Sequence, residues 1–278
     1  MLTRAVRRLG APLFLVCVLA GYSQASQERT LSVSELPGSN VNGTATGSSA
    51  LSGDIVHLSQ MKRLSEAEAS AHRRVTVRAV VTYFDADWRL LFVQDETAAA
   101  FVNLGDLKMQ FRPGDLIDIS GVSSLGDFAP VIVNPKVRLV GRSPLPTPFT
   151  ADLLDGKLPA ADSKWCTFRG VVHTAQEQGP HTNLKVGAGQ TEVTVQLPML
   201  IHGEDLVDKE ISVTGVFGVL FNDRRQAVGH KILVPSPEFL TVVDRDLKRN
   251  GPVTIASLRR YTLDADERHS VTLNGTVV

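Results

Sequence analysis

Cysteine is almost missing from this sequence: Cys17 and Cys166 are the only two. Once a leader containing Cys17 is removed, no intramolecular disulfide can form, so the fold has to hold by packing alone. Aromatic residues are also few, 6% of the 278 residues. No apolar run approaches the ~20 residues needed to cross a bilayer as a helix. An excess of positive charge is missing too, with 29 Lys and Arg against 29 Asp and Glu. Without the leader's Arg4, Arg7 and Arg8, the remainder carries 26 basic and 29 acidic groups, a net charge of −3. Proteins that neutralise phosphates usually carry a basic excess, so this balance argues against nucleic acid as a partner.

Catalytic signatures are absent as well. There is no nucleophile elbow, HExxH, P-loop, GxGxxG or CxxC pair, so no catalytic residue, metal site or cofactor is expected. The histidines (His57, His72, His173, His181, His202, His230 and His269) have no metal-ligand spacing. Acidic pairs such as Asp85/Asp87 and Asp95/Glu96 fall where strands should end, and read as turn formers.

What is present begins with an export signal over residues 1–25. Three arginines precede an apolar core from Leu9 to Ala20, and Ser23 and Ala25 place small side chains before a cut near Ser26. An uncleaved anchor is the alternative. Val16 before Cys17 argues against a lipoprotein. Residues 26–54 read as a flexible linker, since GSNVNGTATGSSALSG offers no apolar period on which to build a core.

Beyond the linker the chain repeats itself. Val75-Thr-Val-Arg-Ala-Val-Val-Thr82 resembles Cys166-Thr-Phe-Arg-Gly-Val-Val-His173 and Val271-Thr-Leu-Asn-Gly-Thr-Val-Val278. Leu116-Ile-Asp-Ile-Ser-Gly-Val122 likewise resembles Glu210-Ile-Ser-Val-Thr-Gly-Val216. The offsets are 91 positions (Val75 to Cys166) and 94 (Ile117 to Ile211). Short alternating runs divided by Gly, Pro and Asp predict an all-β fold of tandem five-stranded OB-like barrels with short helical lead-ins. The expected units are 55–145 and 146–247, with 248–278 the start of a third, incomplete repeat. Strands are predicted near 75–84, 89–95, 99–104, 115–124 and 129–141, then 164–175, 181–187, 190–198, 209–221 and 226–243. Gly121 and Gly215, inside β-branched strands, mark bends or bulges. Ser65 and Glu68 have capping-box spacing for a short helix. Cys166 reads as a small buried hydrophobe.

In an OB barrel, the connections between strands one and two and between strands four and five flank the groove. The candidate ligand contacts are therefore Trp88, Arg89, Asp127 and Phe128 in the first unit. In the second they are Phe221, Asn222, Arg224 and Arg225. Trp88 and Arg89 could stack on a planar ligand or cap the barrel core.

The segments RVTVRAVVTYFDADWRLLFVQDET, RPGDLIDISGVSSLGDFAPVIVNPKVRLVG, WCTFRGVVH and GVLFNDRRQ resemble the extracytoplasmic N-terminal region of large bacterial signalling proteins. There, OB-like repeats precede a membrane helix and a histidine-kinase or diguanylate-cyclase output. The resemblance spans roughly residues 55–278 and implies a non-catalytic, periplasmic sensory region, part of a longer inner-membrane protein, that binds a small molecule or a periplasmic protein. It implies contact with the membrane only through a missing C-terminal anchor or an uncleaved signal. The alternative is an exported OB-fold protein that binds nucleic acid or oligosaccharide, by itself or as an accessory region of a secreted nuclease or hydrolase.

Overall fold

The computed structural model describes residues 53–126, 129–151, 161–188, 191–221 and 227–243. The export signal, most of the linker and the third-repeat segment lie outside these residues. None of the described helices is long and apolar enough to cross a membrane.

Two short helices, α1 (Leu58–Lys62) and α2 (Glu66–Ser70), lead into the first sheet. Ser65 caps α2: its hydroxyl accepts from the Glu68 amide, and the Glu68 carboxylate accepts from the Ser65 amide. That reciprocal pairing satisfies donors that a helix start otherwise leaves open. Five strands follow: β1 (Arg74–Asp85), β2 (Leu90–Gln94), β3 (Ala99–Asn103), β4 (Asp115–Ser124) and β5 (Val131–Arg142). They run in the order β1-β2-β3-β5-β4, and β1–β4 pairing closes the ring. Alternation along β1 points Val75, Val77, Ala79 and Val81 into a core shared with Leu91, Val93, Val102, Ile117, Ile119 and Ile132.

The second sheet corrects the expectation of tandem five-stranded barrels. It has seven strands: β6 (Phe149–Thr150), β7 (Trp165–Gln178), β8 (His181–Ala188), β9 (Thr191–Leu197), β10 (Glu210–Phe221), β11 (Ala227–Leu233) and β12 (Leu240–Val242). The order is β12-β10-β11-β9-β8-β7-β6, with β10 also pairing β7. The two additions lie near the ends of the expected unit and return to the edges of its sheet. Phe149–Thr150 pairs in parallel with β7, and the strand expected over 226–243 divides into β11 and β12, the latter pairing with β10.

The repeat is visible in backbone detail. Pairing of β1 with β2 shifts register between Val81 and Tyr83, and pairing of β7 with β8 shifts between Val172 and Thr174. The extra residues, Thr82 and His173, stand at the same place in the two related motifs. In β4 the register shifts between Ser120 and Val122, around Gly121. A side chain at Gly121 would put its Cβ 2.8 Å from the Val133 carbonyl oxygen, and one at Gly215 would come 2.4 Å from that of Leu233. Both glycines permit close passage of two strands.

Both sheets belong to one compact unit. Each keeps its own core, and a third cluster lies between them. Tyr83 and Leu90 of the first sheet meet Trp165, Val216 and Leu233 of the second, with Trp88, Phe92, Phe101 and Phe239 packed around them. The bulge at Thr82 makes this junction possible. It reverses the alternation of β1, so that Phe84 turns to the inner core while Tyr83 and Asp85 turn outward.

Candidate functional sites

Two features of the described surface carry chemistry. The first is at the junction. Residues 86–89 connect β1 to β2, and Asp85 organises the turn, its Oδ1 accepting from the amides of Asp87 at 2.9 Å and Trp88 at 3.0 Å. Its Oδ2 accepts from the Tyr83 hydroxyl at 3.4 Å and from His181 Nε2 at 2.6 Å. Asp85 and His181 are 1% and 0% exposed, so this carboxylate–imidazole contact lies wholly out of water. The Tyr83 hydroxyl is pushed well above its ordinary range by burial, and further by the neighbouring Asp85 charge. Trp88 covers the imidazole, with ring centroids 3.9 Å apart and planes 22° from parallel.

The planar partner of Trp88 is thus supplied by the chain itself. Trp88 is half-buried against the second sheet. Arg89 is exposed, in left-handed backbone at φ 57°, and lines a shallow hollow with Phe84, Leu107 and Met109. The outer face of β2 and β3, where a groove was expected, holds Phe92 and Phe101 against the junction cluster. The Gln94 side-chain oxygen on that face accepts from the Trp165 amide at 3.0 Å. That face is covered by the second sheet. Asp127, Phe128, Asn222, Arg224 and Arg225 lie outside the described residues. Phe221 ends β10, where it pairs with Ala227. Asp85 and His181 were missed as a pair because they stand 96 positions apart. Their proximity is tertiary.

The second feature is a cationic face on β1, β4 and β5. Cross-strand register places Arg78 beside Asp118 and Asp118 beside Arg138, with Thr76, Ser120 and Lys136 in the next row. These six side chains line one shallow groove. Arg74 extends the row along β1, two residues from Thr76 on the same face. Arg78 Nε donates to Asp118 Oδ1 at 2.7 Å, and Arg138 donates to Asp118 Oδ2. The Arg78 hydrogen bond, then that of Arg138, holds the Asp118 carboxyl below its usual range. Arg78 and Arg138 therefore flank one carboxylate, with Lys136 in the next row and Arg74 beyond it, on a surface where Arg78 is 58% and Arg138 72% exposed.

This corrects the expectation that nucleic acid is a poor partner. A whole-chain balance averages over charges that the fold segregates onto faces, and here the fold concentrates cations.

No family model matches the chain, and no curated protein does. Solved structures do match, at low superposition. An aspartyl-tRNA synthetase from Entamoeba histolytica aligns at 18% identity and TM-score 0.26, covering 34% of this chain and 21% of its own. A murine DNA-binding protein bound with double-stranded DNA aligns at 17% and 0.31, covering 61% and 96%. Fission yeast Pot1 with single-stranded DNA aligns at 11% and 0.32, covering 69% and 89%. The chain thus spans about a fifth of the synthetase and most of the two DNA-bound proteins.

Proposed function

We propose that this chain is a binding protein that holds nucleic acid through its backbone phosphates. The observation that supports this is the cationic face, where Arg74 and Arg78 of β1 and Lys136 and Arg138 of β5 project on either side of β4 and its Asp118. Strands lie about 4.8 Å apart and alternate residues about 7 Å apart, so the four cations form a two-dimensional array. Such an array suits a flexible polyanion better than a single small anion. Its guanidinium groups offer paired donors to phosphate oxygens, and the Arg78–Asp118–Arg138 bridge holds two of them in place. The face carries no exposed aromatic residue, so the reading is of phosphate contact without base stacking, and of little sequence preference.

The test is fluorescence anisotropy of labelled single-stranded and duplex oligonucleotides, with wild-type protein and the double variant Arg78→Ala/Arg138→Ala. Binding that is lost in the variant supports the reading. Equal binding by both proteins would sink it, and preference for a neutral oligosaccharide would replace it.

A second reading rests on the strand motifs that resemble extracytoplasmic signalling regions. In it, the same two sheets are the sensory part of a longer envelope protein and their ligand is periplasmic. Export with cleavage near Ser26 is part of this reading. N-terminal sequencing of protein recovered from the cell envelope tests it, and an intact Met1 in a cytoplasmic fraction would refute it.

A further inference from the structure

We propose that Asp85, Asp87 and His181 form a binding site for a divalent transition-metal ion of the zinc type, placed so that the ion staples the two sheets together. Three observations carry this. The donor atoms of the three side chains lie within 4.8 Å of one another, the one such group of three among the described residues. An imidazole with two carboxylates is a donor set that suits zinc-like ions, which take nitrogen and oxygen at about 2.0–2.2 Å and keep an open position for water in three-ligand sites.

The surroundings also fit. Metal-bound carboxylates are commonly fixed by hydrogen bonds from outside the ligand set. Asp85 has two backbone amides on Oδ1 and the Tyr83 hydroxyl on Oδ2, and Trp88 fixes the plane of the His181 ring. His181 is fully buried, and its Nδ1 has no hydrogen-bond partner, so Asp85 is its single polar tether. Asp87, two residues beyond Asp85, is exposed and marks the path from solvent.

The 2.6 Å contact between His181 Nε2 and Asp85 Oδ2 holds a proton where the ion would sit. Two ligands of a tetrahedral ion stand about 3.3 Å apart given bonds near 2.0 Å. The ring and carboxylate must therefore separate by less than an ångström. In the exchange the proton of the neutral ring moves from Nε2 to Nδ1, a hydrated M²⁺ takes the freed Nε2 lone pair, and the metal loses water molecules to the three protein donors. No electron moves.

The experiment uses the whole chain with the metal alone and no nucleic acid, so its outcome is independent of the polyanion reading. Cobalt(II) chloride is titrated while visible absorption is followed, and zinc chloride is then added in competition. The expected result is one equivalent of cobalt with the intense visible bands of a low-coordinate ion, displaced by zinc. Asp87→Asn, at an exposed turn position, should weaken binding at least about tenfold. His181→Gln should abolish the bands, and His202→Ala should leave them unchanged. Absence of bands in the wild-type protein, or equal affinity in Asp87→Asn, overturns the assignment. So does loss of the bands in His202→Ala.

Discussion

Asp118 offers the sharpest test of the cationic face, because it works against phosphate there while holding two arginines in place. Its carboxylate joins Arg78 to Arg138 and neutralises one of four cations, leaving the array an effective charge near three. Each phosphate neutralised on a single strand contributes about −0.7 to the slope of log K against log salt. Three contacts predict a slope of about −2.1, hence about a 20-fold loss of affinity on a fourfold rise in salt. Asp118→Asn frees one charge and should steepen the slope to about −2.8, with a loss of about 50-fold over the same interval. Arg138→Ala should flatten it to about −1.4, with a loss of about 7-fold. Asp118→Asn should also bind more tightly than wild type at low salt. The assay is anisotropy of a short labelled single strand across a salt series, with circular dichroism to show that each variant is folded. Slopes that do not change among the three proteins would refute phosphate contact on this face. Weaker binding by Asp118→Asn would mean that the carboxylate matters for holding the guanidinium groups more than for opposing phosphate.

Three further outcomes concern the scaffold. Trp165→Ala empties the junction at a residue 2% exposed and should cost about 3–5 kcal/mol in denaturant unfolding, with both sheets lost in one transition; a loss below 1 kcal/mol would mean that the junction contributes little. Gly215→Ala drives a Cβ to 2.4 Å from the Leu233 oxygen and should cost about 1–3 kcal/mol, whereas Gly141→Ala, with open space around it, should not destabilise by that route. Burial pushes the Cys166 thiol from its ordinary value of 9.0 up to about 12. The raised value means that Cys166 contributes stability that is full below pH 9 and is lost as pH climbs toward 12, by about 1.4 kcal/mol per unit. Cys166→Ala should flatten the alkaline limb of a stability–pH curve, and an unchanged slope would refute the assignment.

The strand positions could be read locally, because each depends on alternation and on turn residues within a few positions. Predicted strands at 75–84 and 115–124 meet the observed β1 and β4 within two residues at every end. The Ser65–Glu68 cap and the bulge at Gly121 could be read for the same reason, whereas β10 pairs with β7 through Gly215 in unbroken register. Sheet membership was different. Phe149–Thr150 is too short to show a period and becomes a strand at the edge that β7 offers, and the run expected as one strand over 226–243 divides into β11 and β12, which pair with β10 separately. Trp88 shows the division most clearly. Its place in a turn beside Asp85 followed from sequence, but its stacking partner is the imidazole of His181, 93 positions away on the other sheet. The covered face of β2 and β3 and the Asp85–His181 contact have the same origin. So does the cationic face, since Arg78 and Arg138 become neighbours only when β4 lies between β1 and β5 and presents Asp118 to both. The sequence alone determined where the longer strands run, through contacts each residue makes with its near neighbours. Only the packing of one sheet against the other, and of strands within a sheet, decided which side chains face one another across 60 to 96 positions of chain.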